Sequence, residues 1–254
     1  VQLKRRVFLG FDFAYGYPAG FAKALGLTSD LPPWRSIWDE FSRLLRDDED
    51  NHNNRFDVAA ELNRRCGPLP GPFWGCPMNC HLPTLSRKSP PQGYPYHVTP
   101  DLALERLRWV DQQAKGVQPG WKLMGKGSVG GQSIVGIPIV RRLRDDPLLQ
   151  SVSRVWPFET GFLSYPIPAA GPCVVHGEIW PGVVPDALDP SLPIRDQAQV
   201  RAVVHWLRDL DTQGQLGACF APGDLPPEVI RACVEEEGWI LGVKKQKDSS
   251  KHRG

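Results

Sequence analysis

Three acidic residues stand where this sequence could do chemistry. Asp12 ends the apolar run Val7-Phe8-Leu9-Gly10-Phe11 and opens a Gly/Pro turn, Glu178 lies between Gly177 and Pro181, and Asp196 heads a helical pattern after Pro193. Acids that are far apart in sequence and meet at strand ends bind hard divalent cations through oxygen. Such cations stabilise the attacking and leaving oxygens of phosphoryl hydrolysis. Asp12 carries the strongest signal, because a charge after five apolar residues must find a partner or a cation. Asp196 has a second reading as a first-turn acid favoured by the helix dipole, and Glu159 reads as a strand cap or the partner of an arginine such as Arg154.

A glycine-rich stretch, Gly125-Lys126-Gly127-Ser128-Val129-Gly130-Gly131, precedes a helical pattern. It lacks the spacing of a phosphate-binding P-loop, so a tight turn competes with an anion site. If a phosphate binds, Lys122, Lys126 and Ser128 are the expected contacts, with Lys126 or Arg55 neutralising its charge. Asn51, Asn53, Asn54 and Arg55 form a turn before a helix, and Asn54 and Arg55 are candidate cleft residues. Tyr15 is the candidate for stacking on a base, against the commoner use of aromatics in packing. Cys66, Cys76, Cys80 and His81 could supply three thiolates and an imidazole to zinc. The C-x3-C-H spacing lacks the usual two-residue knuckle, so free thiols are expected instead.

The elements that must position these residues alternate in type. Short apolar runs at 7–11, 152–158, 173–180 and 239–243 read as strands, the first as an interior strand covered on both faces. Helical periodicity covers 19–25, 34–45, 55–65, 133–144 with a break or kink near Pro138, 196–210, and a last helix from Pro226 to Glu237. Thr99-Pro100-Asp101 reads as an N-cap opening a helix to Gln113. Strands alternating with helices give an α/β fold. The segment 66–98 has neither period and is rich in Pro, Gly, Cys and aromatics, so it reads as a structured insertion over the active face. One domain is expected over 1–243, followed by a basic, flexible tail at 244–254.

The segments around Asp12, Val155-Trp156-Pro157-Phe158-Glu159-Thr160-Gly161 and His176-Gly177-Glu178-Ile179-Trp180-Pro181 together resemble a large bacterial family of RNase H-like fold, described as predicted nucleases. The resemblance implies a mixed sheet flanked by helices. It also implies a metal-dependent phosphodiesterase or nuclease using Mg2+ or Mn2+ at Asp12, Glu178 and Asp196, with nucleic acid or a nucleotide as partner. Some relatives bear names from cobalamin or molybdopterin biosynthesis. The alternative is a non-catalytic member that binds a nucleotide, a cofactor precursor or a protein. Relatives carry an earlier strand bearing a first metal-binding Asp, which this sequence does not contain. The run 7–11 is therefore expected to leave an exposed sheet edge through which the chain pairs with a second copy.

Composition bounds these readings. The chain has 254 residues, 41% of them hydrophobic, which suffices for a normal core rather than disorder. Thirty basic residues balance twenty-eight acidic ones, so no global field draws the protein to nucleic acid. Six cysteines are too sparse for a secreted disulfide scaffold, no apolar run approaches a membrane span, and a cytoplasmic protein is expected.

Overall fold

The computed structural model describes residues 5–27, 29–50, 52–164, 171–184 and 188–246. In chain order the regular elements begin with β1 (Arg6–Phe11), α1 (Phe21–Ala24), α2 (Pro33–Leu44), α3 (Arg55–Cys66), β2 (Tyr96–Thr99), β3 (Leu102–Leu104) and α4 (Trp109–Gln113). They continue with α5 (Gly130–Asp145), β4 (Ser153–Val155), β5 (Cys173–Glu178), α6 (Arg195–Thr212) and α7 (Pro227–Ala232). A π-helical turn, Cys233–Glu237, extends α7.

The apolar runs at 7–11 and 173–178 pair as parallel strands, Arg6 opposite Cys173 and Phe11 opposite Glu178. β4 pairs parallel on the far side of β5, so the order is β1-β5-β4. The expected mixed sheet is therefore narrower: these three strands run parallel, and β2 and β3 form a separate antiparallel hairpin. β5 is the interior strand, buried at all six positions. β1 lies at an edge, with Arg6 and Val7 exposed and the rest half-buried, so it is not covered on both faces.

Alternation along the strands feeds two apolar layers. Phe11 packs with the side chains of α1, α2, α3 and α5, among them Phe21, Trp34, Trp38, Phe41, Leu62 and Ile137. Phe8 packs on the other layer with Val175, Phe220, Val229, Cys233 and Trp239. Gly10 and Gly177 face each other in the ladder, where an added Cβ would meet Ile179 Cγ2 at 2.5 Å and the Phe8 ring at 2.8 Å respectively. The space a side chain would need at either position is taken by Ile179 and Phe8.

The amphipathic pattern of α2 holds as read, with Trp34, Ile37, Trp38 and Phe41 buried. α5 is one helix that continues through Pro138, although the ring removes an N–H from its ladder. Gly136 lets Phe13 lie directly on α5, since a Cβ there would come within 2.3 Å of the ring.

Two elements differ from the sequence reading. The expected helix 99–113 is a hairpin followed by the short α4: Pro100 and Asp101 form the turn, Leu102 and Leu104 sit two residues apart on the strand, and Leu104 is fully buried. The expected strand 239–243 is a turn closed by the Val243 N–H on the Ile240 carbonyl at 3.2 Å, with Gly242 at φ +83°. Ile240 alone bridges to Glu178, because the left-handed backbone at Gly242 ends any extension. The start of the expected tail is tied down, Lys244 donating to the Ala221 carbonyl at 2.6 Å and the Gln246 N–H to Gln113 Oε1 at 3.0 Å. Residues 247–254 lie outside the described residues, as does Asn51. Among the described residues no helix is long and apolar enough to cross a membrane.

Candidate functional site

The carboxyl ends of β1 and β5 open into a cleft of about 320 Å³ whose lining includes Asp12, Phe13, Arg108, Gly125, Ser128 and Glu178. Asp12 follows β1 directly, and Phe13, seated on α5 at Gly136, fixes the turn that carries it. The opposite rim is the glycine stretch leading into α5. Gly125 and Gly127 have φ of +99° and +72°, values open to glycine, and the Ser128 N–H closes on the Gly125 carbonyl at 3.0 Å. At the head of α5 the Gly130 N–H is taken by the Lys122 carbonyl at 2.9 Å. The Gly131 and Gln132 amides have no main-chain acceptor among the described residues, as expected for the first turn of a helix. Trp180, Ile179 and Val117 complete the apolar part of the wall.

The Asp12 carboxyl is pushed up to about 6, first by loss of surrounding water and then by the negative charge of Asp196. Asp196 is an exposed first-turn residue of α6 with no side-chain capping bond at that helix start, yet its field reaches Asp12. The charge of Asp196, which does not itself line the cleft, thus acts on Asp12 from 184 residues along the chain, and a cation beside Asp12 would offset it.

Glu178 enters the same cleft in another state. It is 4% exposed, and Arg108 holds it in a two-pronged pair, Nη1 to Oε2 at 2.7 Å and Nη2 to Oε1 at 2.8 Å. The Tyr15 N–H donates to the same carboxylate at 3.2 Å. Arg108 also bonds Asp111 through Nη2 at 2.8 Å and Nε at 3.1 Å, and the Glu237 carbonyl at 3.1 Å. Burial raises Glu178, while Arg108 opposes that shift by charge and hydrogen bonding. Next to this network Glu237 accepts the Trp109 and Ala19 N–H groups at 2.7 and 2.9 Å, and burial holds it at about 7. Glu236 accepts the Gly20 and Ala22 N–H groups at 2.7 and 2.6 Å, which ties down the start of α1. Carboxylates outnumber the single guanidinium, so the floor of the cleft favours a cation over a bare anion.

No family model, curated protein or solved structure matches the chain. Its chemistry is therefore read from the cleft itself.

Of the expected substrate contacts, Ser128 lines the cleft and the others do not. Tyr15 is 1% exposed and packs edge-on to Trp38, so it is a core residue rather than a stacking platform. Asn54 accepts the Arg46 N–H at 2.8 Å and donates to the Leu44 carbonyl at 3.1 Å, joining the ends of the 45–54 loop. Arg55 bonds Asn53 at 2.9 Å and lies over the Phe56 ring. Lys126 is exposed between the two lining glycines, and its carbonyl takes Lys122 Nζ at 2.6 Å. Glu159 does cap a strand, accepting the Val155 N–H at 2.8 Å, but its arginine is Arg144 rather than Arg154. Among the described residues no three His, Cys, Asp or Glu side chains are grouped to hold a metal, Cys66, Cys76, Cys80 and His81 included.

The sequence reading missed Arg108. The signal was there in part: Glu178 ends a fully buried strand, and a carboxylate so placed needs a buried cation for the same reason that Asp12 does. The sequence did not indicate which of many arginines would supply it.

Proposed function

We propose that the chain is an RNase H-like α/β protein whose cleft binds a phosphoester together with Mg2+ or Mn2+, acting as a phosphodiesterase or nuclease. The carrying observation is the cleft that sets Asp12, under the field of Asp196, across from Ser128 and the first turn of α5. Asp12 and Asp196 would hold the cation; Mg2+ commonly takes one or two carboxylates and completes its shell with water and substrate phosphate. When bound, it would neutralise phosphate charge and make water a stronger nucleophile at neutral pH. The Ser128 hydroxyl and the Gly131 and Gln132 amides are the donors for phosphate oxygens. Glu178 acts as a positioning residue, since its pair with Arg108 and its bond from Tyr15 N–H hold the strand ends that present Asp12.

Asp12 takes either a proton or the cation, so cation binding should weaken as the pH falls through about 6. The test is calorimetric titration of Mn2+ into the protein and into Asp12→Asn at pH 7.5 and 5, followed by assay of phosphodiesters with Mn2+ and with chelator. Saturable binding that is lost in the variant and at the lower pH, with chelator-sensitive cleavage, is expected. Cleavage that survives Asp12→Asn would reject this site.

A second reading, a non-catalytic binding protein, draws on the Arg108–Glu178 pair, which leaves only two acids for a cation. Cation binding without turnover of any phosphodiester would favour it.

A further inference from the structure

Arg55, Lys122 and Lys126 do not line the cleft, yet contacts gather them along its glycine rim. Lys122 Nζ donates to the Lys126 carbonyl at 2.6 Å and lies 5.8 Å from the centre of the Trp74 ring. The main chain of Lys122 bridges to Trp74, and its carbonyl takes the Gly130 N–H at the head of α5. Arg55 reaches the same place from α3: a Cβ on Gly131 would meet Arg55 Cδ at 3.4 Å and the Leu123 carbonyl oxygen at 2.9 Å. Lys126 is exposed, and the other two are half-buried. The oxygens that these side chains bond are neutral, Arg55 taking that of Asn53 and Lys122 that of Lys126. Among the described residues none of the three forms an ion pair with a carboxylate. The half-buried Arg35, Arg65, Arg141 and Arg144, by contrast, each face an Asp or Glu.

We propose that this rim is a docking strip for single-stranded nucleic acid, holding the backbone phosphates next to the one in the cleft. The inference rests on the reading of the cleft as a phosphodiester site, and it names the polymer to which that phosphodiester belongs. Lys126 stands between Gly125 and Gly127, which both line the cleft, so a strand that leaves the cleft over this turn meets Lys126 and then Lys122 and Arg55. Cations without an internal acid give up no ion pair when they take a phosphate, and each phosphate so neutralised releases counterions. Met124, exposed beside Gly125, offers apolar surface to a base or sugar. A cleft of about 320 Å³ admits one strand and not a duplex. The chain as a whole carries a formal charge of only +2, so the attraction is local to the rim.

The test is fluorescence anisotropy of a labelled oligothymidine of about twelve nucleotides with the full chain, in chelator, over a range of salt starting near about 50 mM. Three contacts on a single strand should give a slope of log affinity against log salt of about −2. The variant Arg55→Ala/Lys122→Ala/Lys126→Ala should bind at least about ten-fold more weakly, with a slope near zero. A charge-matched variant in three exposed cations elsewhere, Lys23→Ala/Arg142→Ala/Arg231→Ala, should stay within about two-fold of the parent. If Arg55→Ala lowers the thermal midpoint, Lys122→Ala/Lys126→Ala carries the comparison with a loss of about five-fold. Equal weakening in the rim variant and its charge-matched control, unchanged affinity in the rim variant, or tighter binding of a duplex of the same length would overturn the proposal. Failure of the cleft reading appears separately, as absent Mn2+ binding, and leaves this measurement in chelator as it stands.

Discussion

Arg108 is a positive charge held inside the protein by three carboxylate and carbonyl partners, and its removal exposes what it compensates. In Arg108→Met the Asp111 and Glu178 carboxylates would remain buried, 4% exposed each, without their cation. Breaking such a pair costs about 3–5 kcal/mol, which urea unfolding at pH 7 should register. A loss below 1 kcal/mol would mean that water reaches the network. His176 makes the opposite demand. It is fully buried, its Nε2 lies 2.7 Å from Ser153 Oγ, and burial pulls it down to about 4. The folded protein keeps the ring neutral while the unfolded chain protonates near 6.5. The resulting stability is complete above pH 6.5 and is lost as the pH falls through about 4, up to about 3 kcal/mol in all. Glu237, raised to about 7, tilts the curve the other way but is shared by any His176 variant. The stability gap between the protein and His176→Asn should therefore narrow between pH 6.5 and 4. A gap that stays constant would show that the ring does not titrate on unfolding.

Among the elements, contact between distant backbone segments leaves the least room. A Cβ on Gly16 would lie 2.2 Å from the Glu236 carbonyl oxygen and 2.5 Å from that of Glu237, both main-chain atoms. Gly16→Ala should cost about 3 kcal/mol, the upper part of the range for overpacking, and lower the thermal midpoint accordingly. A midpoint within a degree of the parent would show that the two segments separate easily. The same scale shows what could be read from sequence. β1, β5, α2 and α3 were legible because one period dominates each: Trp34, Ile37, Trp38 and Phe41 mark a helix face, and 7–11 is too short for anything but a strand. Residues 99–113 were not, since Thr-Pro-Asp serves a helix start and a hairpin turn equally well and only the burial of Leu104 decides between them. Residues 239–243 failed on Gly242, whose left-handed backbone outweighs four apolar neighbours. At the site, Asp12 and Ser128 were visible through their local punctuation. Arg108 and the Glu236–Glu237 pair were not, because Glu178 lies 70 residues from Arg108 and the amides held by Glu236 and Glu237 lie 128 to 218 residues away.

For the whole molecule the unpaired side of β1 is the main exposure. The Cys173 and Ile179 N–H groups donate to the Arg5 and Phe11 carbonyls, so odd-numbered residues face β5 and the main chain of Arg6, Phe8 and Gly10 faces outward. Among the described residues no strand covers that side. Edges of this kind recruit a second copy unless a charge blocks them. Light scattering should show self-association that grows with concentration and falls in Val7→Lys; a monomer at every concentration would retire the expectation.

The sheet order also bears on how the chain is made. Among the described residues β1 and β4 pair only with β5, and the amides of Ala19, Gly20 and Ala22 are held by acids at 236 and 237. During synthesis the first strand must wait some 160 residues for its partner, on the order of ten seconds at ribosomal speed. For that interval Val7 to Phe11 is an apolar segment with nothing to pair with, and Asp12 has no site to belong to. Nascent-chain chaperones would meet this apolar segment well before its partner strand is made.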